Sequence, residues 1–217
     1  MSTGSTDGGR SSAGQAPKRS LFEDVSVRVG ITTGIGAYLL GYVLTYVLLV
    51  FEAEGSLNDF LTPETNHLYE PVGWVFYGAH AVNVSVSNLN GAENVNYLLN
   101  LDYVYGLTIP PAVFYAVPIV SLVLAGYVTA RRVGIPNRLT SGVLAGASVV
   151  FGYFVMAIFG AYMFEFLIAG QGAKPDVLMS ALIIGLAYPI VAGGIGGALA
   201  ASIPSVREVP AVERSRE

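Results

Sequence analysis

The chain has 217 residues, of which 53% are hydrophobic and 12% are charged, and it contains no cysteine. An average globular domain carries about 25% charged residues, so this composition argues against an ordinary soluble domain. Without cysteine the chain has no disulfide, thiolate nucleophile or cysteine-bound metal, and its net charge of −4 argues against binding to nucleic acid.

The first segment, residues 1–20, is rich in Gly, Ser and Thr. Such a segment cannot bury enough apolar surface to offset the entropy lost on ordering, so we expect a disordered cytoplasmic tail. We expect a second cytoplasmic tail over residues 206–217. The apolar core of a cleavable signal peptide is not seen near the start, so we interpret the first long apolar stretch as an uncleaved anchor.

Four long apolar stretches lie between these tails, and each exceeds the roughly 20 residues needed to cross a bilayer. The sequence predicts transmembrane helices over residues 29–51, 108–130, 139–166 and 177–203. Together they make up a membrane domain that covers residues 21–205. The predicted fold class is an all-α membrane protein with four transmembrane helices in a bundle.

The first predicted helix carries Tyr38, Tyr42 and Tyr46 on one face. Their hydroxyl groups must find partners inside the membrane, because lipid offers none. We interpret this stripe as packing within the bundle rather than as a path for a substrate.

The connection between the first two helices, residues 52–107, is predicted to form a small extracytoplasmic cap. Its apolar part, residues 72–86, is too short to span a bilayer. Residues 82–87 alternate between valine and polar side chains, which is typical of a half-buried strand. Because residues 90–91 are Asn-Gly and Val and Tyr recur at residues 95–97, we expect a short β-hairpin in the cap.

Three large apolar side chains stand out in this polar loop, namely Trp74, Phe76 and Tyr77. They either form an aromatic belt at the membrane interface or pack as the core of the cap against the strand. We favour the core of the cap. His80 then lies where the aromatic run meets the strand, as a neutral, hydrogen-bonded histidine. Trp74, Tyr77 and His80 are the loop's candidates for a functional role.

A metal site is the strongest enzymatic alternative in this loop. His67 and His80, with Glu64 and Glu70, are residue types that ligate divalent cations, but their spacing matches no ligand motif. We therefore expect no metal, no cofactor and no enzymatic activity. Asn83 begins an Asn-Val-Ser triplet, an acceptor for N-glycosylation, and whether it is modified stays open.

Small residues recur at a spacing of four in three of the predicted helices, which lets helix backbones approach closely in lipid. The pairs are Gly30 and Gly34, Gly142 and Gly146, and Gly193 and Gly197. We expect the fourth helix, which is the richest in Gly and Ala, at the centre of the bundle or at an interface between protomers. Glu165, at the end of the third helix, is predicted to reach water at the membrane interface and is the fourth functional candidate.

The second and fourth predicted helices each contain the triplet Pro-Ile-Val, at residues 118–120 and 189–191. Each proline removes a helical hydrogen bond and is expected to kink its helix. The repeated triplet suggests a tandem duplication of a two-helix hairpin about an axis along the membrane normal. Coincidence between apolar segments is the alternative, and both stay open.

The basic residues divide the chain between two sides of the membrane. Ten of the eleven lie before the first helix, in the link at residues 131–138 or in the C-terminal tail, whereas residues 52–109 hold seven acids and no Lys or Arg. Because basic residues accumulate on the cytoplasmic side, we predict cytoplasmic termini and an extracytoplasmic 52–107 loop.

Nine arginines against two lysines, together with the acidic loop, are similar to the composition of proteins from extreme halophiles. Residues 73–80, with the sequence GWVFYGAH, resemble a segment of a family of uncharacterised haloarchaeal integral membrane proteins. The resemblance covers roughly residues 20–205. It implies four spans with the GWVFYxAH-type segment outside the cell, and it supplies no known activity.

The resulting functional prediction is a structural or interaction component of the cell membrane. Its surroundings are the lipid bilayer, and its expected partner is a second copy or another membrane protein. A small oligomeric transporter or channel is the alternative, and an extracytoplasmic metal-dependent enzyme is the third option. The lack of charge at mid-membrane favours the first over the second, because ion and proton paths usually carry ionisable groups.

Overall fold

A computed structural model describes residues 27–53, 69–88, 91–134, 138–168 and 171–203. Both predicted tails lie outside these residues, as do the candidate metal ligands Glu64 and His67.

The described chain is mainly helical, with one small sheet. In chain order its elements are α1 (Val27–Ala53), α2 (Tyr69–Gly78), β1 (Val84–Asn88), β2 (Gly91–Val95), α3 (Tyr97–Tyr105), α4 (Pro111–Val133), α5 (Leu139–Ala147), α6 (Val150–Met163), β3 (Phe166–Ile168), β4 (Gln171–Pro175), α7 (Val177–Met179), two π-helical stretches (Ser180–Ala187 and Pro189–Gly193) and α8 (Gly194–Ser202).

Four segments are long and apolar enough to cross a membrane, and we call them spans 1 to 4. They are Val27–Glu52, Pro111–Val133, Leu139–Met163 and Val177–Ser202. Every boundary lies within three residues of the one predicted from sequence, so the prediction of four membrane-length helices is confirmed. Length and the absence of charge were sufficient signals, because both follow directly from the thickness and polarity of a bilayer.

Local sequence sets where two of these spans begin and end. Span 2 starts with Pro111, whose missing N–H costs nothing in a first turn, and is followed by Gly134 in the left-handed conformation. Asp176 caps span 4, because its carboxylate accepts a hydrogen bond from the Met179 N–H.

Span 4 is wider than an α-helix over much of its length. The Tyr188 N–H donates to the carbonyl of Ile183, five residues earlier. Pro189 has no N–H, and its ring excludes the carbonyl of Gly185 four residues before it. The π-helical turns widen the backbone around this proline, whereas the sequence predicted a kink without giving its form.

The spans pack most closely at the end that carries Arg131, Arg132 and Arg138, which we call the basic end. There a Cβ on Gly197 would overlap the backbone of Gly142, and one on Gly126 would overlap that of Gly193. Span 1 approaches span 3 in the same way, with Gly34 against Val149. The glycine pairs predicted as packing positions therefore lie at real close approaches between backbones.

The opposite end, which we call the sheet end, carries a four-stranded antiparallel sheet in the order β2-β1-β4-β3. The predicted hairpin is confirmed, with Val84 opposite Val95 and Asn88 opposite Gly91. The chain turns into α3 at Tyr97, so the predicted continuation of the second strand to this residue is wrong.

The second hairpin was not predicted from the sequence. Strand β3 begins at Phe166, which the prediction had placed at the end of the third helix. Strands β3 and β4 pair with each other and β4 pairs with β1, so one sheet joins both connections at this end. Few charges interrupt this stretch, and its apolar character extended the predicted helix past its true end at Met163.

The packing order of the spans bears on the predicted duplication of a two-helix hairpin. Around the bundle, span 1 contacts span 2, span 2 contacts span 4, span 4 contacts span 3, and span 3 contacts span 1. A twofold axis along the membrane normal would exchange helices that lie diagonally in this order, whereas a duplication exchanges neighbours, span 1 with span 3 and span 2 with span 4. The two hairpins are therefore not related by the predicted axis, and the duplication itself stays a prediction.

Candidate functional site

Helix α2 runs from the sheet end into the interior of the bundle. Near its start Gly73 lies against the ring of Phe164, and near its end the Tyr77 hydroxyl reaches the carbonyl of Ala157. His80, two residues past the helix, contacts Tyr153. The first and last of these partners, Phe164 and Tyr153, are eleven residues apart, or about 16 Å at the rise of an α-helix. The segment therefore enters the bundle and does not cross it.

This position corrects the expectation that the aromatic run forms the core of an extracytoplasmic cap. Phe76 and Tyr77 are fully buried among the spans, and Val82 and Val84 belong to the same apolar cluster. Trp74 joins the helix to the sheet end, because its indole N–H donates to the Phe164 carbonyl at 2.8 Å. The packing against the strand was predicted, but the surrounding helices were not.

Glycines make room for these aromatic rings. A Cβ on Gly41 of span 1 would lie 2.9 Å from the Phe76 ring, and one on Gly160 of span 3 would meet the Tyr77 hydroxyl at 2.6 Å. Phe76 and Tyr77 therefore each face a glycine, which has no side chain to occupy the space that the ring fills. Close packing of this kind explains how a ten-residue helix fits between membrane-length helices.

The chain reverses at the inner end of α2 through a helix-terminating turn. The Val82 N–H donates to the Tyr77 carbonyl at 3.0 Å, and the Ala81 N–H donates to the Gly78 carbonyl at 2.9 Å. This pair of bonds is the Schellman motif, which requires a left-handed residue. Ala81 supplies it with φ of 60°. The motif pairs the last carbonyls of the helix, which would otherwise be unsatisfied in the apolar interior.

His80 sits at the base of this turn and is fully buried. Its Nδ1 lies 2.8 Å from the Phe76 carbonyl oxygen, and its Nε2 lies 2.8 Å from the Tyr153 hydroxyl. A carbonyl only accepts, so Nδ1 carries the proton and the Tyr153 hydroxyl donates to Nε2. Burial lowers the pKa of His80 to about 4, because the charged ring would lose its hydration. The hydrogen bond to the Phe76 carbonyl raises the pKa, but by less than burial lowers it.

A second polar chain lies beside the histidine. The Tyr77 hydroxyl donates to the Ala157 carbonyl at 2.5 Å, so the Tyr38 hydroxyl donates to Tyr77 at 3.0 Å. The Tyr188 ring lies 5.0 Å from the imidazole of His80. We call the five residues around this point the tyrosine–histidine cluster. Its members are Tyr38, Tyr77, His80, Tyr153 and Tyr188.

Hydrogen bonds hold the side chains of the tyrosine–histidine cluster in fixed positions. All three hydrogen-bonded tyrosines and His80 direct their polar atoms at one another or at backbone carbonyls. A buried network whose members are paired rigidifies a core, whereas a half-paired one would destabilise it. The cluster therefore fixes α2 to spans 1 and 3.

The sequence analysis identified His80 and Tyr77 but not their partners. Tyr38 was interpreted as bundle packing, which agrees with its buried position. Tyr153 and Tyr188 place hydroxyl groups inside apolar helices, where a hydroxyl needs a partner. This was the signal in the sequence that could have indicated a buried polar contact. Their pairing with His80 joins residues more than 70 positions apart, and no local pattern in the sequence encodes such a contact.

The candidate metal ligands in the described residues lie far apart. Glu70 is in the first turn of α2 and His80 is past its other end, about 15 Å away along a helix. Within the described ranges no group of three His, Cys, Asp or Glu side chains is placed to hold a metal ion.

Glu165 lies at the sheet end, two residues past the end of span 3, and its predicted place at the membrane interface stays a prediction. Its carboxylate accepts a hydrogen bond from the Lys174 ammonium at 2.8 Å across the β3–β4 hairpin. That ammonium also lies 4.8 Å from the centre of the Tyr162 ring. The side chains are partly exposed, so the pair contributes little to stability.

Glu52 is a buried carboxylate that the sequence analysis did not single out. Its two oxygens accept hydrogen bonds from the backbone N–H groups of Thr108 and Ile109. These groups lie just before the Pro-Pro start of span 2. Glu52 therefore joins the end of span 1 to the beginning of span 2.

An apolar groove of about 410 Å³ opens between spans 2 and 4. Its lining residues are Ile119, Ala187, Tyr188, Val191, Ala192 and Ile195. Tyr188 borders both this groove and the tyrosine–histidine cluster. Tyr188 therefore contacts His80 and lines the apolar groove as well.

Residues 10–203 match the model of a family described as a family of unknown function, DUF7978. The chain belongs to this family. Neither a curated protein nor a solved structure gives a significant match to the chain. The description of the family names no activity, so function has to be argued from the geometry of the site.

Proposed function

We propose that this protein is a structural or interaction component of the cell membrane and not an enzyme. The observation that carries the proposal is the filling of the bundle interior by α2. A transport path or a catalytic site needs polar groups that water or a substrate can reach. His80 and Tyr153 are both fully buried and bonded to each other.

Thr33 and Thr129 form a second pair of bonded polar groups in the interior. The Thr33 and Thr129 hydroxyls lie 2.6 Å apart and join spans 1 and 2. One hydroxyl donates to the other, and the accepting hydroxyl donates to a carbonyl of its own helix, that of Val29 for Thr33 or that of Ala125 for Thr129. Such bonds tighten contacts between helices in lipid, and they support a scaffold rather than a solvated path.

The sheet end supplies a surface for a protein partner. Strand β2 is an edge strand, and its residues 91–94 are exposed. An edge strand presents backbone N–H and C=O groups that pair readily with another chain. We propose a second copy of this chain or another membrane protein as the partner, on the extracytoplasmic side of the membrane.

The orientation and origin complete the proposal. The basic end holds Arg131, Arg132 and Arg138 and is the cytoplasmic end under the positive-inside rule. The excess of arginine over lysine supports a halophilic archaeon as the source. The protein is then a multi-pass membrane protein with both termini in the cytoplasm.

The purified protein tests the proposal in two measurements. In liposomes that contain a pH-sensitive dye, we expect an imposed pH gradient to decay at the rate of empty liposomes. In native mass spectrometry from lipid nanodiscs, we expect assemblies with a second copy or a stoichiometric protein partner. Monomers alone would overturn the interaction role, and decay faster than in empty liposomes would favour transport.

An oligomeric transporter is the second candidate, and the position of Tyr188 between groove and cluster favours it. In this case Tyr153→Phe, which removes the hydroxyl on His80 and keeps the ring, would slow the flux. Tyr162→Phe is the matched control, because Tyr162 is exposed on the same helix. Equal flux through both variants and the parent would exclude a path through the cluster.

A further inference from the structure

Helix α3 exposes an apolar face although it belongs to the loop between spans 1 and 2. Tyr103 is 90% exposed, and Leu99 and Val104 are also exposed. We propose that α3 is an interfacial helix whose outward face binds the lipid leaflet at the sheet end. This is a membrane contact of the connecting segment, separate from the four spans and from the tyrosine–histidine cluster.

The inner face of α3 fixes its depth. Leu98 and Leu101 are buried in one cluster with Leu49 of span 1 and Phe114 of span 2. Leu49 and Phe114 each lie three residues inside the sheet-end limit of their span, or about 5 Å. Helix α3 therefore lies beside the last apolar turn of the spans, at the level of the outer hydrocarbon boundary.

Both ends of α3 are held, so the helix cannot turn its apolar face inward. At its start the Asn96 side chain accepts from the Leu99 N–H at 3.2 Å and donates to the Gly78 carbonyl at 3.1 Å. At its end the Gly106 N–H donates to the Asp102 carbonyl at 2.9 Å. The Leu107 N–H donates to the Asp102 carboxylate at 3.2 Å. This hydrogen bond holds the carboxylate against the backbone that follows the helix.

The chemistry of the outward face selects lipid as its occupant. Its exposed residues Leu99, Asn100, Tyr103 and Val104 include no charged side chain, and tyrosines are typical of the region between headgroups and acyl chains. The face continues the apolar surface of the adjoining span ends, where Phe51 and Val113 are exposed. A continuous apolar surface of this kind is unfavourable in water and is normally in contact with lipid or with another protein.

Site-directed spin labelling tests the proposal, and the absence of cysteine makes single labels direct. Nitroxides are placed at Tyr103→Cys and Val104→Cys in the full chain, reconstituted in liposomes. Val120→Cys, exposed on span 2, is the lipid-facing comparator, and Ala92→Cys, exposed on β2, is the aqueous one. All four side chains are exposed, so the substitutions leave the packed interior intact.

Collisions of each label with oxygen and with a neutral nickel chelate are measured. We expect labels at 103 and 104 to collide with oxygen several-fold more than with the chelate, as the label at 120 does, and the label at 92 to show the reverse. Equal behaviour of 103, 104 and 92 would place α3 in water. Exclusion of both reagents at 103 and 104 would place protein over this face. Either result would overturn the proposal.

Discussion

At neutral pH the His80 ring carries one proton, on Nδ1, because the Phe76 carbonyl can only accept. The same bond leaves Nε2 as the acceptor of the Tyr153 hydroxyl. A second proton would place a full charge in a site without a counter-ion among its direct contacts, Phe76, Tyr153 and Tyr188. The histidine therefore acts as a neutral hydrogen-bonding joint between α2 and span 3.

This neutrality predicts how acid affects stability. The pKa of His80 is about 4 in the folded protein, below its ordinary value of 6.5. Between these values the unfolded chain binds a proton that the folded chain does not, so stability falls as pH drops from 6.5 and levels off below 4. The total loss is about 3 kcal/mol. Unfolding midpoints in detergent measured from pH 8 to 4 check this.

His80→Gln is the control for the acid prediction, because its side chain does not titrate. The difference in stability between the parent and this variant should change with pH over that window, while effects of other groups cancel. Nitrogen NMR of the imidazole gives a second readout, in which the His80 signals stay those of a neutral ring at pH 5. A ring that titrates near 6.5 would contradict the prediction.

Two carboxylates at the same end of the molecule are expected to respond differently to loss of charge. Glu52→Gln leaves one of the two backbone N–H groups, of Thr108 or Ile109, without an oxygen acceptor, so we expect a loss of about 1–3 kcal/mol. Glu165→Gln removes an exposed ion pair with Lys174 and should cost about 0–1 kcal/mol. Thermal unfolding in one detergent compares the variants, and equal losses would refute the assigned role of Glu52.

The glycines of span 4 differ in how closely they approach span 3. The sequence pairs Gly193 with Gly197 through their spacing of four, and Gly194 is a further glycine beside them. The structure separates them, since a Cβ on Gly197 would lie 2.8 Å from the Gly146 backbone, whereas one on Gly194 would lie 3.5 Å from the Val143 side chain. Gly193 and Gly197 therefore make the close contact, and Gly194 faces ordinary packing space.

The matched pair Gly197→Ala and Gly194→Ala tests this distinction. Gly197→Ala must push spans 3 and 4 apart, and we expect a loss of about 1–3 kcal/mol. Gly194→Ala has room for its methyl group, and the higher helix propensity of alanine should raise stability by up to about 1 kcal/mol. Unfolding midpoints in detergent give both values. If Gly194→Ala were the more harmful change, the assigned packing face would be wrong.

The elements predicted correctly are those whose signals are local. The four spans follow from length and lack of charge, and the β1–β2 hairpin follows from alternation and an Asn-Gly turn. Helix α2 was missed because its residues after Pro71 are apolar on all sides, a pattern that a buried helix and a buried strand share. Its insertion between the spans depends on Gly41 and Gly160, more than 30 residues away on either side.

The interior of the whole molecule is packed differently at its basic end and at its sheet end. Backbone contacts between glycines bring the spans together at the basic end, and α2 with its aromatic side chains fills the interior at the sheet end. Without α2, the apolar and hydroxyl groups of Tyr38 and Tyr153 would face an unfilled space. The re-entrant segment is therefore a structural part of the bundle, and the sheet and α3 lie around its entrance.

The orientation of this molecule in the membrane gives the last prediction. In the sequence, ten of the eleven basic residues lie before residue 29, at residues 131–138 or after residue 206, so we expect the basic end in the cytoplasm. In intact cells, a cysteine at Ser12 or Ser205 should be shielded from a membrane-impermeant maleimide, while one at Asn88, at the end of β1, should react. The chain has no cysteine of its own, so every signal comes from the introduced thiol. Permeabilised cells, in which all three should react, are the control, and labelling at Ser12 in sealed cells would reverse the assigned orientation.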